Sequence, residues 1–572
     1  MKKVIVTVIV ILICLSGGIM KAQQNWEWVK STTNGSTNQL FGTESVTCTD
    51  NFGHIYIAGN FMTDSITFGA ITLHIENNAF AEIFIVKYDL NGNILWAKSS
   101  GGEEEYVGSI SADLSGNIYL SGIFMGDTAK FDTINIYTSY RPEDMFLAKY
   151  DSSGNALWAI APNGIYQDGS GSIATDANNN VYMTGNYQNS IIFGTDTLNS
   201  INPYDDIFLF KFDPSGNVLW GKSFGGSLDD DGVTVCVDVY NNVYITGEFA
   251  SDSISFGNFK LYNRYPTNNS YAPTDIYLTK LNSDGQVLWA KDFGGRQYER
   301  PGQVTTDAIG NIYLDGWYQS DTMYFDMLAL ININDDTIQK IFLVKCDSSG
   351  NALWAKTSEL DLSNFNQDYP GNICIDNTGN IYLTGSFISP SISFSSYTLI
   401  NHNNNDDSSD FFITKYDVSG NVLWANDYGG NGDELGNSMC MDSDGNIYLS
   451  GYFQSDSIEF GSLTLDNNIN NNYQVFLAKL GTSTGIPELQ KSSGVFLYPN
   501  PFTTTTTLTL QGIYHNPSLF IYNLLGQEVR SIPVGTNTQL TINRERLSAG
   551  MYFYKVIDDN KEVIGIGKMV VE

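Results

Sequence analysis

Apolar residues come in short runs along this chain, each bounded by Asp, Asn or Gly. The run GNIYLTGSF at residues 379–387 has near-copies that begin at Gly53, Gly116, Asn179, Asn241, Gly310 and Gly445, seven in all. Their closing glycines are Gly59, Gly122, Gly185, Gly247, Gly316, Gly385 and Gly451, spaced 63, 63, 62, 69, 69 and 66 residues apart. A second run, IFIVKYD from Ile83, returns from Met145, Ile207, Ile276, Ile341, Phe411 and Val475. A third, ILWAK from Ile94, returns around Trp158, Trp220, Trp289, Trp354 and Trp424, and Trp28 heads a similar run near the N-terminus. Each unit thus predicts four strands. Strand a ends at a repeat Asp such as Asp113, strand b is the GNIYLSG run, strand c the FLAKYD run and strand d the LWAK run. Links of the form Asp-x-x-Gly-Asn join a to b and c to d. Asp opens such a turn through its own carboxylate and Gly supplies positive φ, which predicts antiparallel hairpins.

Strands b and c are apolar on both faces, as with Ile118, Tyr119 and Leu120. A hairpin-linked sheet that is greasy on both sides has to be sandwiched between copies of itself. Four strands at a period of 60-odd residues predict an all-β fold, a seven-bladed β-propeller over residues 23–480. The first unit opens with a lone strand d at Trp28 and the last stops after strand c at Leu480. The N-terminal strand is therefore expected to complete the seventh blade and close the ring, removing a free edge. A polar linker is predicted at 481–494. Alternating apolar residues with turn signals over 495–572 then predict a small Ig-like β-sandwich.

Residues 25–480 resemble the SBBP-type propeller repeats of bacterial extracytoplasmic proteins, on the strength of the seven-fold Gly-Asn-Ile/Val-Tyr motif. That resemblance implies a fold more than a reaction. The C-terminal segment resembles the sorting domain of the type IX secretion system of Bacteroidetes-like bacteria. The matching pieces are Tyr498-Pro499-Asn500-Pro501, the LLGQEV run, Gly550-Met551-Tyr552 and the terminal GKMVV. This resemblance implies that residues 495–572 engage the type IX machinery, with delivery to the outer cell surface or the medium.

The N-terminus fits that destination. Lys2 and Lys3 precede an apolar run from Val4 to Leu15, which predicts a signal peptide over residues 1–22. Twelve apolar residues are too few to span a bilayer, and no later stretch is long enough. A formal charge of −33 argues against nucleic-acid phosphates as partners. Cys48, Cys236, Cys374 and Cys440 share one repeat slot that elsewhere holds Ser111, Ala174 and Thr305, so free buried thiols are expected rather than a disulfide framework.

Candidate chemistry is sparse. The four His are scattered, which speaks against a His-based metal site. Asp442-Ser443-Asp444-Gly445 has the start of a calcium loop but occupies an ordinary a–b turn. Eight residues before the strand-a Asp, six units carry a carboxylate: Glu105, Asp168, Asp230, Glu299, Asp368 and Glu434; the first unit has Gly42. An acidic ring at the propeller mouth would attract Ca²⁺, a basic peptide or a cationic substrate. Alternatively each carboxylate staples its own Gly-Gly loop through backbone amides. No other cofactor is indicated. Asp-Ser/Thr-apolar triplets place Ser65, Thr128, Thr133, Thr197, Ser253, Thr322, Thr337 and Ser457 in a pattern resembling the O-glycosylation acceptor of Bacteroidetes; the same triplets also read as turns entering the next strand. Arg296, Tyr298, Glu299 and Arg300 form the one polar cluster that departs from the repeat. Surface-bound glycan or protein is the expected ligand class of a non-enzymatic binding module. A propeller lyase or hydrolase, or a purely structural surface component, are the rivals.

Overall fold

The tight turns behave as their composition demands. Asp113 Oδ1 accepts the Ser115 and Asn117 amides at 2.9 Å, and Oδ2 accepts Asn117 Nδ2 at 2.8 Å. Gly116 sits at φ 78°, a conformation that costs glycine little. The same carboxylate cradle recurs at Asp176, Asp238, Asp307, Asp376 and Asp442. Asp442 therefore serves the turn, with its second oxygen also accepting Tyr448 Oη at 2.8 Å.

The computed structural model describes residues 26–571 apart from 34–44, 77–78, 139–142, 165–167, 201, 267–271, 333–337, 361–367, 404–407, 468–471, 482–494, 511–513, 524–527, 536–537, 546 and 559–562. The expected signal peptide and Gly42 lie outside the described residues, as does the expected linker apart from Gly481. Chain contacts divide the molecule into two compact units, one ending at Thr482 and one beginning at Ser483.

Among the described residues, the strands of the first unit pair antiparallel, with one isolated parallel bridge between Ala81 and Glu104. Among the described residues, seven sheets share the order a-b-c-d. Sheet 1 consists of Val46–Thr49, His54–Phe61, Glu82–Asp89 and Ile94–Ser99, sheet 2 of Gly101–Ala112, Ile118–Phe131, Glu143–Tyr150 and Ala156–Ile160, and sheet 3 of Asp168–Thr175, Val181–Tyr187, Asp206–Phe212 and Val218–Phe224. Sheet 4 consists of Asp230–Val237, Val243–Phe249, Asp275–Leu281 and Val287–Phe293, and sheet 5 of Glu299–Thr306, Ile312–Tyr318, Lys340–Cys346 and Ala352–Thr357. Sheet 6 begins with Tyr369–Ile375 and Ile381–Phe387. Sheet 7 takes strands a, b and c from Glu434–Met441, Ile447–Phe453 and Gln474–Leu480, and strand d from the N-terminal Trp26–Ser31, which pairs Trp28 with Lys479 and Ser31 with Phe476. Strand a of each sheet packs beside strand a of the next, and Glu434–Met441 lies beside Val46–Thr49. Across that last junction Thr49 Oγ1 donates to the Met441 carbonyl at 2.8 Å and the Thr47 amide donates to Ser438 Oγ at 3.1 Å.

Apolar clusters straddle successive sheets. One joins Tyr182, Ile207 and Leu209 of sheet 3 to Val235, Ile245 and Phe249 of sheet 4. The strand-d Trp residues serve this packing. Trp158 meets Tyr119 edge-on at 5.9 Å and donates its indole N–H to the Pro214 carbonyl in the next sheet's c–d turn at 3.2 Å. Trp28, Trp96, Trp220, Trp289 and Trp354 repeat that donation to the following turn.

The b–c links carry more structure than the four-strand pattern anticipates. Ser253–Phe256 and Phe259–Tyr262 form a separate hairpin, with equivalents in other units, because Ser-Ile-x-Phe alternates polar and apolar residues around a positive-φ Gly257 (59°). In sheet 2 the link joins the sheet itself, so Ile134–Tyr137 pairs with the extended Ile118–Phe131 as a fifth strand. The five described cysteines are free thiols.

Among the described residues the second unit has two sheets, ordered Val495–Tyr498, Thr505–Leu510, Gln539–Asn543 and Glu528–Pro533, Ser518–Tyr522, Gly550–Ile557, Val563–Val571. Leu508, Ile542, Leu519, Val556 and Met569 form its core.

Candidate functional site

Asp168, Asp230, Glu299 and Glu434 open strand a, Asp368 comes just before it, and Glu105 lies inside the longer strand Gly101–Ala112. Glu105, Asp230, Glu299, Asp368 and Glu434 are all fully buried (0%). The Asp168 side chain lies outside the described residues, although its backbone pairs with Tyr187. The buried ones are held by their own d–a loops, by the residues just after strand b, or by both. Asp230 Oδ2 accepts the Gly226 amide at 2.7 Å and Ser251 Oγ at 2.8 Å. Glu299 accepts the Gly295 amide at 3.1 Å and the Ser320 hydroxyl. Glu434 accepts the Gly430 amide at 2.9 Å and the Ser455 amide at 3.0 Å, and Asp368 accepts the Ser389 amide and hydroxyl. Glu105 accepts Ser100 Oγ at 3.3 Å. Ser251, Ser320, Ser389 and Ser455 occupy one repeat position after strand b, a pairing of serine and carboxylate that the sequence pattern contains but did not single out.

A second acid, at the start of the preceding strand c, lies near Glu105, Asp230, Glu299 and Glu434. Burial, then the Glu82 charge, push Glu105 up to about 8. Burial, with Asp275 close by, pushes Glu299 to about 8, and burial, with Asp410 close by, pushes Glu434 to about 8. Asp230 rises to about 7 and Asp368 to about 6, again mainly through burial. No group of three or more His, Cys, Asp or Glu placed to hold a metal ion occurs among the described residues.

Strand alternation turns the residue after each carboxylate the other way. Those residues are Tyr106, Gly169, Asp231, Arg300, Tyr369 and Leu435, which do not repeat as the carboxylates do. Asp231 pairs with Glu248 and Arg300 with Trp317 across strands a and b, which puts each pair on one sheet face. Arg300 Nε reaches Glu248 Oε1 at 3.7 Å, so sheet 5 meets sheet 4 through charge, and Arg300 also acts on the Tyr369 hydroxyl of sheet 6. Asp205 and Asp229 flank Asp231. Burial pushes Glu248 to about 7 despite the opposing Arg300, and Thr274 Oγ1 donates to its Oε2 at 3.3 Å. Asp231 rises to about 6, through burial and then Asp205. Tyr369 is 42% exposed and the Arg300 side chain 51%.

Of the four residues expected to cluster, Arg300 joins this strip. Glu299 is buried as a staple, and Arg296 stacks on Tyr265, its guanidinium 5.1 Å from the ring centre. Trp317 had a signal in the sequence. Seven of the nine Trp fill the strand-d slot and Trp26 precedes one; Trp317 alone stands in strand b.

Among the triplet residues, Thr133, Thr197 and Ser457 are exposed, Ser65, Thr128, Ser253 and Thr322 are half-buried, and Thr337 lies outside the described residues.

Residues 496–572 match the family described as the secretion system C-terminal sorting domain. The protein is exported to the outer cell surface or beyond it. No helix among the described residues is long and apolar enough to cross a membrane. The chain is 25% identical over 434 residues to an uncharacterized WD repeat-containing protein of Acanthamoeba polyphaga mimivirus, covering 63% of this chain and 31% of that one. It is 25% identical over 186 residues to the regulatory protein FlaEY of Caulobacter vibrioides, covering 31% of this chain and 19% of that one. The matched segments thus span a third or less of these relatives. Among solved structures, a gluconolactonase of Xanthomonas campestris aligns with TM-score 0.30 at 8% identity, covering 66% of this chain and 86% of that one. A lignostilbene dioxygenase of Pseudomonas brassicacearum aligns with TM-score 0.34 at 12% identity, covering 74% and 96%.

Proposed function

We propose that residues 23–480 form a seven-bladed, SBBP-type β-propeller closed by the N-terminal strand, and that it acts outside the cell as a non-enzymatic binding module. Asp230, Glu299, Asp368 and Glu434 are its loop staples: a group with no exposed surface that accepts backbone amides is spent on the fold. The ligand surface is the strip of Asp231, Glu248, Arg300, Trp317 and Tyr369. The observation that carries this assignment is the break in repetition there, since packing positions repeat from unit to unit while a ligand site need not. Exposed Thr133, Thr197 and Ser457 are the triplets open to a sugar. Intact mass of the secreted protein tests that part: a bare polypeptide mass removes it.

A glycan and protein array probed with the full chain tests the module. A ligand whose signal falls with Arg300→Ala supports it; an array without any ligand sinks it. One observation favours an enzyme instead. Glu248, with its carboxyl held near neutrality beside Arg300, has the makings of a general acid. Turnover of any polysaccharide that is lost in Glu248→Gln would replace the binding role with that one.

A further inference from the structure

The strip across sheets 3 to 6 carries more acid than its one guanidinium balances. Asp205, Asp229, Asp231 and Glu248 gather there, and Arg300 is the cation among them. The Asp231 carboxylate is half-buried, with Oδ1 sealed from solvent and Asn186 hydrogen-bonding to the group. Beside the acids stand Trp317, half-buried, and Tyr369, 42% exposed. Aromatic faces of this kind cover the flat side of a ring and attract a cation. Asn186 adds an amide next to Asp231 and Asp205.

Resting on the binding-module function above, we propose that this strip binds an amino sugar, whose ammonium group meets Asp231 and Glu248 while its ring lies against Trp317 and Tyr369. A sugar with hydroxyls alone would leave the surplus negative charge unanswered. A lysine side chain would answer the charge but offers no flat face to two aromatic rings.

Calorimetry on the full chain separates these. The probes are a short β-1,4-linked glucosamine oligomer, the same oligomer fully N-acetylated, and a lysine-containing peptide of similar length. The glucosamine oligomer is expected to bind at least about tenfold more tightly than either other probe. Asp231→Asn and Trp317→Ala should each weaken it about tenfold, and added salt should weaken the wild type. Near-ultraviolet circular dichroism checks that both variants keep the wild-type fold, and the N-acetyl comparison needs no variant at all. Equal affinity for the N-acetylated oligomer overturns the proposal, as does a peptide bound as tightly as the sugar. If none of the three probes binds while the array returns another ligand, the amino sugar is wrong and the module stands. If the array is also empty, both fall.

Discussion

Glu434→Gln should change the sign of its effect between acid and alkaline pH. Glu434 is fully buried, accepts the Gly430 and Ser455 amides at 2.9 and 3.0 Å, and has its carboxyl pushed to about 8, mainly by burial. An unfolded glutamate ionises near 4.5. Between those values the folded chain holds a proton that the unfolded chain releases, so stability falls as pH rises. At about 1.4 kcal/mol per pH unit, this carboxyl alone takes roughly 3 kcal/mol from stability between pH 4.5 and 7, as an upper bound. Gln cannot ionise and removes that slope, but its amide nitrogen faces one backbone donor and costs about 1 kcal/mol at every pH. The variant should therefore be about 1 kcal/mol less stable than wild type at pH 4 and more stable than it at pH 8. Urea unfolding followed by Trp fluorescence reads both, since strand-d Trp residues lie between sheets. Wild-type stability that rises from pH 5 to 8, or a variant with an unchanged pH slope, would refute the placement of a neutral carboxyl in the loop.

Three further outcomes follow from the packing. Gly451→Ala would put a methyl group 1.9 Å from the Leu435 carbonyl oxygen and 2.7 Å from the Phe476 ring, both of them fixed neighbours. It should cost at least about 3 kcal/mol and show as a lower urea midpoint or an insoluble product. Trp158→Phe keeps an aromatic ring but loses the bond to Pro214, and should lower stability by about 1 kcal/mol in the same assay. Removing residues 496–572 should leave the protein inside a type IX-competent host, as read by immunoblot of cell and medium fractions.

Repetition made the strands legible. Asp113 with Gly116 predicts a hairpin from local chemistry alone, and the lone Trp28 strand points to the strand it pairs with, Gln474–Leu480. The b–c hairpins were harder to see, because Ser-Ile-x-Phe is too short for its period to stand apart from a loop. The strip proposed as the ligand surface lies one residue along from the repeated carboxylates. Counting along the chain finds what repeats, and so it found Glu105, Asp230, Glu299, Asp368 and Glu434. Which way each side chain points depends on the pleat, and that turned the repeated position inward and its neighbour to the opposite face.

Local composition thus settles strands, turns and the sorting segment, since each of these is written within a few consecutive residues. The meeting of Asp231, Glu248, Arg300 and Tyr369 is different. These residues lie as much as 138 positions apart and belong to three separate sheets. Only the sideways packing of one sheet on the next brings them within reach of each other, and the same packing leaves the staples no solvent to meet.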